Sequence, residues 1–584
     1  MEILYVMRKN GSVCDGILKS EDGREFPIHR LIMVTCSPYF EALYNSPINI
    51  QRRTEIIIPN ISADMLDKII DFAYMPSNFH QTVNFQNVFQ LIKVANKFLI
   101  SKLVDICCIF LIDHINDQNC ILIWKCAKQY NYQDMEAKAL KYLMINFTNI
   151  LKERRYLEIS LDEIITILKK EELNVKHEEF VWEGILIWID HDPDNRSKYI
   201  NQLMRCVRFG LINPEYFIAK VKNNKYVKFE DRNCRRIIIE AIRCLFDLKI
   251  GHGSKSKLQL QKPRLPREVL FVIGGWDGDI PINLMESYDI KTDSWILLSI
   301  NDSTGPRAYH RCAVMDNYIY IIGGYDGVDF FNTCRCFDIL TSEWREIAPM
   351  YSHRCYVSVA TVGRHIYALG GFNGRVRLRS AERYNCDTNQ WTMIASMNNE
   401  RSDASATELS GSVYIVGGFN GNEFLSSAEF YNPDTNQWTN ISSMKTRRCG
   451  VCCINYNGYL YVFGGFNGIS RLCSGEVYNP YTQKWYILED MSTARSNFAV
   501  VVLEDLIFVM GGFNGITTVS SVECYDVKKE QWIQAKEMHM NRSALDACVV
   551  KDIPNIENYI PPRNESFIGK KSNLHFSDFS QEYF

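Results

Sequence analysis

Short apolar runs separated by Gly-rich polar turns fill the second half of the chain. Six of these runs end directly before a Gly-Gly pair, and an Asp-Gly or Asn-Gly follows each pair one residue later. Short apolar runs bounded by turn residues predict buried strands, and Asp-Gly or Asn-Gly predicts a chain reversal. The runs are 269–273, 318–322, 366–369, 413–416, 460–463 and 506–510.

The six units keep a nearly constant length. The second Gly of each pair recurs in steps of 49 and then 47 residues, at Gly275, Gly324, Gly371, Gly418, Gly465 and Gly512. An aromatic residue follows each pair by 13 residues and a Trp follows it by 20. Units of about 40 to 50 residues with four strands each are typical of propeller blades. The sequence therefore predicts an all-β, six-bladed propeller over 267–553.

The two ends of this repeat region predict how the ring closes. The first unit begins at its Gly-Gly strand and lacks the Arg-led strand that precedes the others. Arg542-Ser543-Ala544-Leu545 and Cys548-Val549-Val550 repeat that Arg-led strand, but no Gly pair follows them. We expect this last strand to complete the first blade, because that pairing removes an open sheet edge.

The first 250 residues follow other patterns. Residues 14–43 predict two strands, a turn and a helix, and helical periodicity replaces strand patterns from 117 to 248. We expect an α+β domain over 1–116 and an all-α domain over 117–250. The stretch 251–266 is rich in Gly, Ser, Lys, Gln and Pro and predicts a linker, while 554–584 lacks periodicity and predicts a disordered tail.

Composition changes this picture little. The hydrophobic content of 46% is typical of globular proteins, and the net charge of -3 disfavours nucleic acid or an anionic membrane as a partner. No signal-peptide layout and no uncharged apolar run of 18 residues occurs, which predicts a soluble cytoplasmic protein. The 20 cysteines then indicate reduced thiols.

Candidate catalytic and metal-binding residues are sparse. His310, His353 and His365 fall in different repeats without a shared register. Cys449-Gly450-Val451-Cys452 has no second pair at zinc-site spacing and falls in a predicted strand. We therefore expect no cofactor, no metal site and no catalytic activity.

These motifs carry a family resemblance. The Gly-Gly, Tyr, Trp and Met-x-x-x-Arg landmarks of all six units closely resemble kelch repeats. Asp15 and His29 stand where BTB (POZ) domains carry an Asp and a His, and 171–175 and 188–193 resemble the BACK domain. The order BTB, BACK, kelch implies a substrate adaptor of a cullin-3 RING ubiquitin ligase, non-catalytic and dimeric. Several propeller loops look closest to a member associated with male germ cells, which implies a role in sperm development.

The resemblance assigns the cullin-3 contact to the helix around 37–40, to the loop after it and to the first BACK helices. The residues concerned are Tyr39, Phe40, Tyr44, Ile48 and Ile50. Many members carry an apolar residue, any residue and Glu in that loop, whereas this chain has Ile48-Asn49-Ile50. The charged part of the contact is thus absent, and core packing is the alternative for Tyr39 and Phe40. For the dimer helix that precedes the first strand, only residues 1–9 are available.

The resemblance also assigns substrate binding to the propeller loops. An aromatic residue follows every Gly pair, at Trp276, Tyr325, Phe372, Phe419, Phe466 and Phe513. Arg377 and Arg471 stand where some members hold acidic degrons, and Ser402, Ser496 and Ser543 stand where others offer hydroxyls. The alternative for the aromatic residues is packing between blades. The repeat arginines recur in every blade and are expected to be structural; they are Arg307, Arg354, Arg401, Arg448, Arg495 and Arg542.

Two other functions stay open. A kelch scaffold that binds actin without any ligase is favoured by the altered Ile48-Asn49-Ile50 triplet. A redox sensor would need a thiol of lowered pKa near basic groups, and Cys449 beside Arg447 and Arg448 is the candidate.

Overall fold

The computed structural model describes residues 2–45, 55–246, 260–300, 302 and 305–563. They belong to two compact units, Met1–Val207 and Arg208–Phe584. The predicted fold class is confirmed: an α+β region and a helical region come first, and repeated four-stranded antiparallel sheets follow. Ile48 and Ile50, and most of the predicted linker, lie outside the described residues.

The first unit places helices around a small sheet. Strands β1 (Gly16–Lys19), β2 (Glu25–Ile28) and β3 (Glu55–Ile57) are ordered β2-β1-β3, with β1 antiparallel to β2 and parallel to β3. The α-helices are α1 (Glu2–Lys9), α2 (Arg30–Cys36), α3 (Pro38–Asn45), α4 (Ala63–Tyr74), α5 (Val88–Lys97), α6 (Ser101–Asp113), α7 (Cys120–Tyr130), α8 (Gln133–Ile145), α9 (Phe147–Ile150), α10 (Leu161–Lys169), α11 (Glu179–Asp190), α12 (Pro193–Arg196) and α13 (Ile200–Leu203). Short 3-10 helices cover Pro76–Thr82, Arg154–Glu158, Ser197–Tyr199 and Met204–Cys206.

Helix α1 is attached to the first unit through one buried cation. Arg8 is 3% exposed and forms ion pairs with Asp67 at 2.9 Å and Asp71 at 2.6 Å, both on α4. Buried charges persist where they are paired and hydrogen-bonded. Ile3 and Val6, on the other side of the same helix, are 73% and 57% exposed.

The second unit begins with short helices and continues into the repeats. Its helices are Phe209–Leu211 (3-10), α14 (Pro214–Tyr216), Phe217–Lys222 (π), α15 (Arg232–Leu245) and Ile556–Asn558 (3-10). Its strands are β4 (Glu268–Ile273), β5 (Met285–Asp289), β6 (Ser294–Leu298), β7 (Arg311–Met315), β8 (Tyr318–Ile322), β9 (Cys334–Asp338), β10 (Glu343–Ile347), β11 (Ser358–Val362), β12 (His365–Leu369), β13 (Ala381–Asn385), β14 (Gln390–Ile394), β15 (Ser405–Leu409), β16 (Ser412–Val416), β17 (Ala428–Asn432), β18 (Gln437–Ile441), β19 (Cys452–Tyr456), β20 (Tyr459–Phe463), β21 (Gly475–Asn479), β22 (Lys484–Leu488), β23 (Ala499–Leu503), β24 (Leu506–Met510), β25 (Val522–Asp526), β26 (Gln531–Ala535) and β27 (Asp546–Lys551).

In the described part of this unit the strands form six four-stranded sheets. Blade 1 has the order β27-β4-β5-β6, and blades 2 to 6 each use four consecutive strands from β7 to β26. The innermost strands β7, β11, β15, β19, β23 and β27 contact one another in a closed cycle. Strand β27 pairs with β4 from Asp546↔Ile273 to Lys551↔Glu268. The predicted closure of the ring is therefore confirmed.

A ring of backbone hydrogen bonds surrounds the propeller axis. One residue from the turn before each innermost strand donates its N–H to the carbonyl of its counterpart in the neighbouring blade, at 2.7 to 3.1 Å. The six residues, called the axial ring below, are Tyr309, Tyr356, Asp403, Gly450, Asn497 and Ala544. All six have positive φ, between 52° and 58°. This conformation costs free energy in non-glycine residues, so its repetition shows how strongly the ring fixes these turns.

The repeat arginines are structural, as predicted. Arg401 is 1% exposed and donates to the carbonyls of Gly417 and Ser427, to the Ser427 hydroxyl, and to Glu429 at 2.9 Å. Equivalent Arg–Glu ion pairs join Arg354 to Glu382, Arg448 to Glu476, Arg495 to Glu523 and Arg542 to Glu286. Each pair links the Arg-led turn to the third strand of its blade.

Blade 2 lacks this ion pair. Arg335 occupies the position of the glutamate, and its cation pairs with Asp302 instead. Arg307 donates to the Gly323 carbonyl and to Thr333, but to no carboxylate among the described residues. Burial and the neighbouring Arg335 lower the pKa of Arg307 to about 10, so this guanidinium is still charged at neutral pH.

The predicted disordered tail needs correction at its start. Residues 554–563, called the terminal segment below, lie on the propeller between blades 1 and 2. Tyr559 is fully buried, donates to the Ile339 carbonyl at 2.6 Å, and accepts from Ser287 at 2.8 Å through its own carbonyl. Arg563 pairs with Asp289 at 2.8 Å. Isolated hydrogen bonds order this segment without any periodic pattern, and the remainder of the predicted tail lies outside the described residues.

Candidate functional site

The loops that follow the Gly pairs form one face of the propeller. In each blade the aromatic residue after the pair makes a backbone bridge to the residue after the repeat Arg, as Phe419 does with Ser402. It makes a second bridge five residues further along its own loop. The Gly pair permits this close approach: a Cβ at Gly464 would lie 2.6 Å from the Arg495 carbonyl oxygen. Glycine therefore brings the loop onto the ion-paired frame of the blade.

The aromatic residues predicted to bind substrate are half-buried in a continuous belt. Phe330 packs edge-on against Phe372 at 5.5 Å, and Phe424 packs edge-on against Phe466 at 5.3 Å. The structure thus gives these side chains a packing role and leaves only part of each ring accessible. All six predicted aromatic residues are half-buried, and the belt joins all of them except Trp276; the six are Trp276, Tyr325, Phe372, Phe419, Phe466 and Phe513.

Arg377 and Arg471 stand at equivalent positions of blades 3 and 5 within this belt. The Arg377 guanidinium lies 4.0 Å from the centroid of Phe372, and that of Arg471 lies 4.1 Å from Phe466. Neither forms an ion pair in the described part of the chain, and Arg377 Nη1 and Arg471 Nε are buried without a hydrogen-bond partner. Stacking fixes each cation while leaving its donors unused. This arrangement suits an anionic group such as a carboxylate.

The loop tips around the two arginines differ in polarity. Ile469 and Ile516, on either side of Arg471, are each 91% exposed, whereas Arg375 and Asn422 are the corresponding residues around Arg377. Our reading of the sequence missed these isoleucines because they follow no periodicity. Their position directly after Asn-Gly is the signal that could have identified them.

The three serines of the predicted site lie beneath the face. Ser402 is fully buried and donates to the Phe419 carbonyl at 3.3 Å. Ser496 and Ser543 are 3% and 7% exposed. The Ser402 hydroxyl therefore supports the loop backbone, whereas the Ser496 hydroxyl is buried without a hydrogen-bond partner among the described residues.

In the first unit, the predicted cullin contacts have different surroundings. Phe40 is fully buried and packs on Phe98 at 5.0 Å, which is the alternative that the sequence left open for it. Tyr39 is half-buried, with its ring 5.0 Å from Phe98, and the next residue, Leu99, is 60% exposed. Tyr44 is half-buried, and burial raises the pKa of its hydroxyl. Tyr39 and Leu99 are therefore the accessible apolar side chains here.

The two residues that suggested a BTB domain are structural. The Asp15 carboxylate accepts from the Arg30 backbone N–H at 2.7 Å, and the His29 ring lies 2.7 Å from the Tyr74 hydroxyl. Both interactions join the hairpin to the helices that follow it.

The cysteine proposed as a redox sensor has the wrong electrostatics. Burial and the neighbouring Asp403 raise the pKa of Cys449 to about 12, opposite to the lowering that a reactive thiol requires. Arg448, expected to activate it, is engaged with Glu476. The structure therefore gives the redox hypothesis no support.

Within the described residues, no group of three His, Cys, Asp or Glu side chains could hold a metal ion. No helix in that part of the chain has both the length and the apolar character needed to cross a bilayer.

Comparison with known proteins agrees with this domain order. Family models match for the BTB/POZ domain over 4–115, for BACK (BTB And C-terminal Kelch) over 120–222, and for the KLHDC2/KLHL20/DRC7 Kelch-repeats domain over 265–406 and 396–553. Kelch-like protein 17 of Mus musculus is 29% identical over 290 residues. That match covers 50% of this chain and 44% of the relative, so the chain spans less than half of the relative's length.

Proposed function

Because the chain belongs to the BTB-BACK-kelch family, we propose that it is a non-catalytic substrate adaptor of a cullin-3 RING ubiquitin ligase. Its BTB and BACK regions bind cullin-3 and its propeller binds the substrate. Ubiquitin then arrives from a separate charged enzyme at high effective concentration. The protein acts in the cytoplasm, and the resemblance of its loops to a germ-cell member supports a role in sperm development.

One observation carries the substrate half of this proposal. All six repeat arginines are engaged in their blades, whereas Arg377 and Arg471 are stacked on aromatic rings and form no ion pair among the described residues. Burying a cation that forms no ion pair costs free energy, and a ligand that brings an anionic group would offset that cost. We propose an acidic peptide segment as the ligand, with Ile469 and Ile516 contacting apolar residues beside the acid.

The cullin half rests on an apolar surface of the first unit. Tyr39 is half-buried at the start of α3 and Leu99 is exposed beside it. Aromatic and aliphatic side chains of this kind commonly dominate binding energy at interfaces. The missing Glu of the Ile48-Asn49-Ile50 triplet removes a charged contact and leaves this apolar part.

The proposed homodimer has a candidate surface on α1. Ile3, Val6 and Met7 are exposed on this helix, while Arg8 holds its other side to α4. A symmetric pair of such helices would bury apolar surface that the single chain leaves in water.

The adaptor mechanism is tested by calorimetric titration of the full chain with the N-terminal domain of cullin-3. We expect submicromolar binding that Tyr39→Ala weakens at least tenfold, because truncation of an interface aromatic commonly costs more than about 1.4 kcal/mol. Phe85→Ala is the matched control, since Phe85 is an exposed aromatic of the same unit outside the proposed contact. Absence of binding at tens of micromolar, with filament co-sedimentation, would favour the actin scaffold instead.

The substrate face is tested by peptide-display selection on the immobilised full chain. Enriched peptides should be acidic, and the Arg377→Glu/Arg471→Glu variant should lose them. Arg364→Glu is the control, because Arg364 is an exposed arginine that is already paired with Asp316 and Asp387. Enrichment that survives in the double variant would refute the assignment.

A further inference from the structure

A second site lies at the propeller axis, beside Arg377, whose guanidinium lies 5.9 Å from the centroid of the Tyr356 ring. The axial ring surrounds a cavity of about 20 Å³, which is room for one small group such as an ammonium, within about 290 Å³ of space that includes open solvent. Five residues of that ring line it, together with His310 and Arg311; the five are Tyr309, Tyr356, Asp403, Asn497 and Ala544. The cyclic hydrogen bonds fix every one of these turns, so the cavity is preformed.

The walls of the cavity are unequal. On one side the centroids of the Tyr309 and Tyr356 aromatic rings lie 4.2 Å apart. On the other side the axial ring consists of Gly450, Asn497 and Ala544, whose side chains are small. A ligand group that enters the cavity therefore has an aromatic wall on one side.

The floor of the cavity is closed and electrically balanced. Arg311 pairs with Asp546 at 3.0 Å, and its guanidinium nitrogens lie 3.8 Å from the Cys452 sulfur. Asp546 also accepts from the Cys312 N–H at 2.5 Å. The positive charge of Arg311 is thus already matched, and an anion would gain little from it.

Asp403 supplies a carboxylate in the wall that forms no ion pair among the described residues. Its backbone N–H donates to the Tyr356 carbonyl at 3.1 Å and its carbonyl accepts from Gly450 at 2.8 Å, which fixes the residue in place. Its carboxylate makes no hydrogen bond within the described residues. An ionised carboxylate held near aromatic rings without a donor is stabilised by a ligand that brings one.

Two arginines are the charged neighbours of Asp403, and its other titratable neighbours are neutral at pH 7. Burial raises the pKa of Asp403 to about 7, although Arg377 and Arg311 act to lower it. Burial lowers the pKa of His310 to about 3 and raises the pKa of Tyr309 to about 12, so both are neutral at pH 7. The pKa values of Tyr356, Cys355 and Cys449 are also raised by burial, and these groups are neutral as well.

We propose that this axial cavity binds a primary ammonium group, such as a lysine side chain, as an ion pair with Asp403 beside the Tyr309 and Tyr356 rings. The ammonium is a compact cation with three donors, whereas a guanidinium is planar and wider. Aromatic rings near the cation add a further attraction. In a bound substrate, this lysine would come from the same segment whose acidic residues contact the rim, and that extension rests on the proposed function.

Binding of a cation requires Asp403 to be ionised. Below about pH 7 the carboxyl is protonated in the free protein, so binding must release a proton, and affinity should fall by up to about tenfold per pH unit. Above pH 7 affinity should level off until the amine itself loses its proton. The sign of the pH dependence thus identifies the carboxylate as the partner.

The experiment titrates the full chain with N-acetyl-lysine methylamide and follows the protein by NMR at pH 8 and pH 6. We expect saturable millimolar binding at pH 8 that is several-fold to tenfold weaker at pH 6. N-acetyl-norleucine methylamide, which has a neutral chain of similar length, should not bind. Asp403→Asn should lose both the binding and its pH dependence.

Two further variants keep the test decisive. Asn497→Tyr should block the cavity with Asp403 intact, and a tyrosine already holds the same positive-φ position in blades 2 and 3. Arg471→Glu should keep lysine binding while it loses acidic peptides, which separates a failure here from a failure of the proposed substrate face. Equal binding of norleucine, retention in Asp403→Asn, or no saturation with the lysine probe would overturn the proposal.

Discussion

Blade 2 and the other five blades reach the same fold by different interactions. The five blades contain a buried Arg–Glu pair, whereas blade 2 has Arg335 at the glutamate position and takes its carboxylate from Asp302. In those five blades the Trp indole N–H donates to a carbonyl of the preceding blade, as Trp391 does to Ala348 at 2.8 Å. The equivalent nitrogen of Trp344 in blade 2 is buried and has no acceptor within the part of the chain that the structure describes.

In blade 2 the terminal segment bonds to a residue that contacts the preceding blade in regular blades. Asn389 and Asn436 use their side chains to accept a backbone N–H from the preceding blade, but Ser342, the equivalent residue of blade 2, lies 2.7 Å from the Tyr559 hydroxyl. Ile553, Ile556, Tyr559 and Ile560 pack with apolar residues of blades 1 and 2. The difference teaches that a repeat position can lose its internal interaction where another segment of the chain supplies one.

The largest effect should come from breaking an ion pair in a regular blade. Arg401→Ala leaves Glu429 fully buried without its cation and should lower the free energy of unfolding by about 3–5 kcal/mol. Arg307→Ala in blade 2 strands no carboxylate and should cost only about 1–3 kcal/mol. Urea titration of the propeller transition measures both, and equal losses would contradict the distinction between the blades.

Removal of Tyr559 should come next. Tyr559→Ala deletes a fully buried aromatic side chain between blades 1 and 2 and should cost about 3 kcal/mol. Tyr559→Phe keeps the ring, loses only the hydrogen bonds to Ile339 and Ser342, and should cost about 1 kcal/mol. A neutral result for Tyr559→Ala in the same titration would show that the terminal segment does not stabilise this interface.

Blade 2 should also give the propeller a dependence on acidity. His310 is 1% exposed where the other blades carry Val357, Ala404, Val451, Phe498 and Leu545, and burial lowers its pKa to about 3. The unfolded chain binds a proton at this residue below its ordinary pKa of about 6.5 while the folded chain does not, so stability is lost as pH falls from there towards 3.

The expected slope from this histidine is up to about 1.4 kcal/mol per pH unit. His310→Leu should remove it, because leucine is the residue of blade 1 at this position. Val357→His should add a second such slope in blade 3. Unfolding free energies measured between pH 4 and pH 7 check both variants, and parallel curves for the wild type and His310→Leu would contradict the assignment.

The smallest change should come from giving blade 2 the regular ion pair. Arg335→Glu with Asp302→Asn offers Arg307 a carboxylate and should stay within about 1 kcal/mol of the wild type, because a buried pair gains little over a satisfied alternative. In that background, however, Arg307→Ala should cost about 3–5 kcal/mol, as in a regular blade. An unchanged cost in urea titration would show that the position does not reproduce the pair.

Sequence reasoning succeeded where the chain repeats itself. The run 318–322 coincides with β8, and Cys548-Val549-Val550 lies within β27 as predicted, because periodic apolar patterns reflect burial against neighbouring strands. It failed for Tyr559, which packs against apolar residues of blades 1 and 2 from a segment without periodicity. The role of Asp403 could not be predicted either, because it depends on the axial ring, which places Asp403 near Tyr309 and Tyr356. Arg377 and Arg471 were found through resemblance, but coordinates were needed to show that neither forms an ion pair within the described residues.

The axial ring has a consequence for how freely this propeller could be rebuilt. Six hydrogen bonds run in one closed circle, and none of the blades is first or last in it. Circular permutation should therefore be tolerated: joining the termini of the repeat region and opening the chain at the exposed turn around Gly411 would leave the circle intact. The same ring of blades should then form whichever blade comes first along the chain.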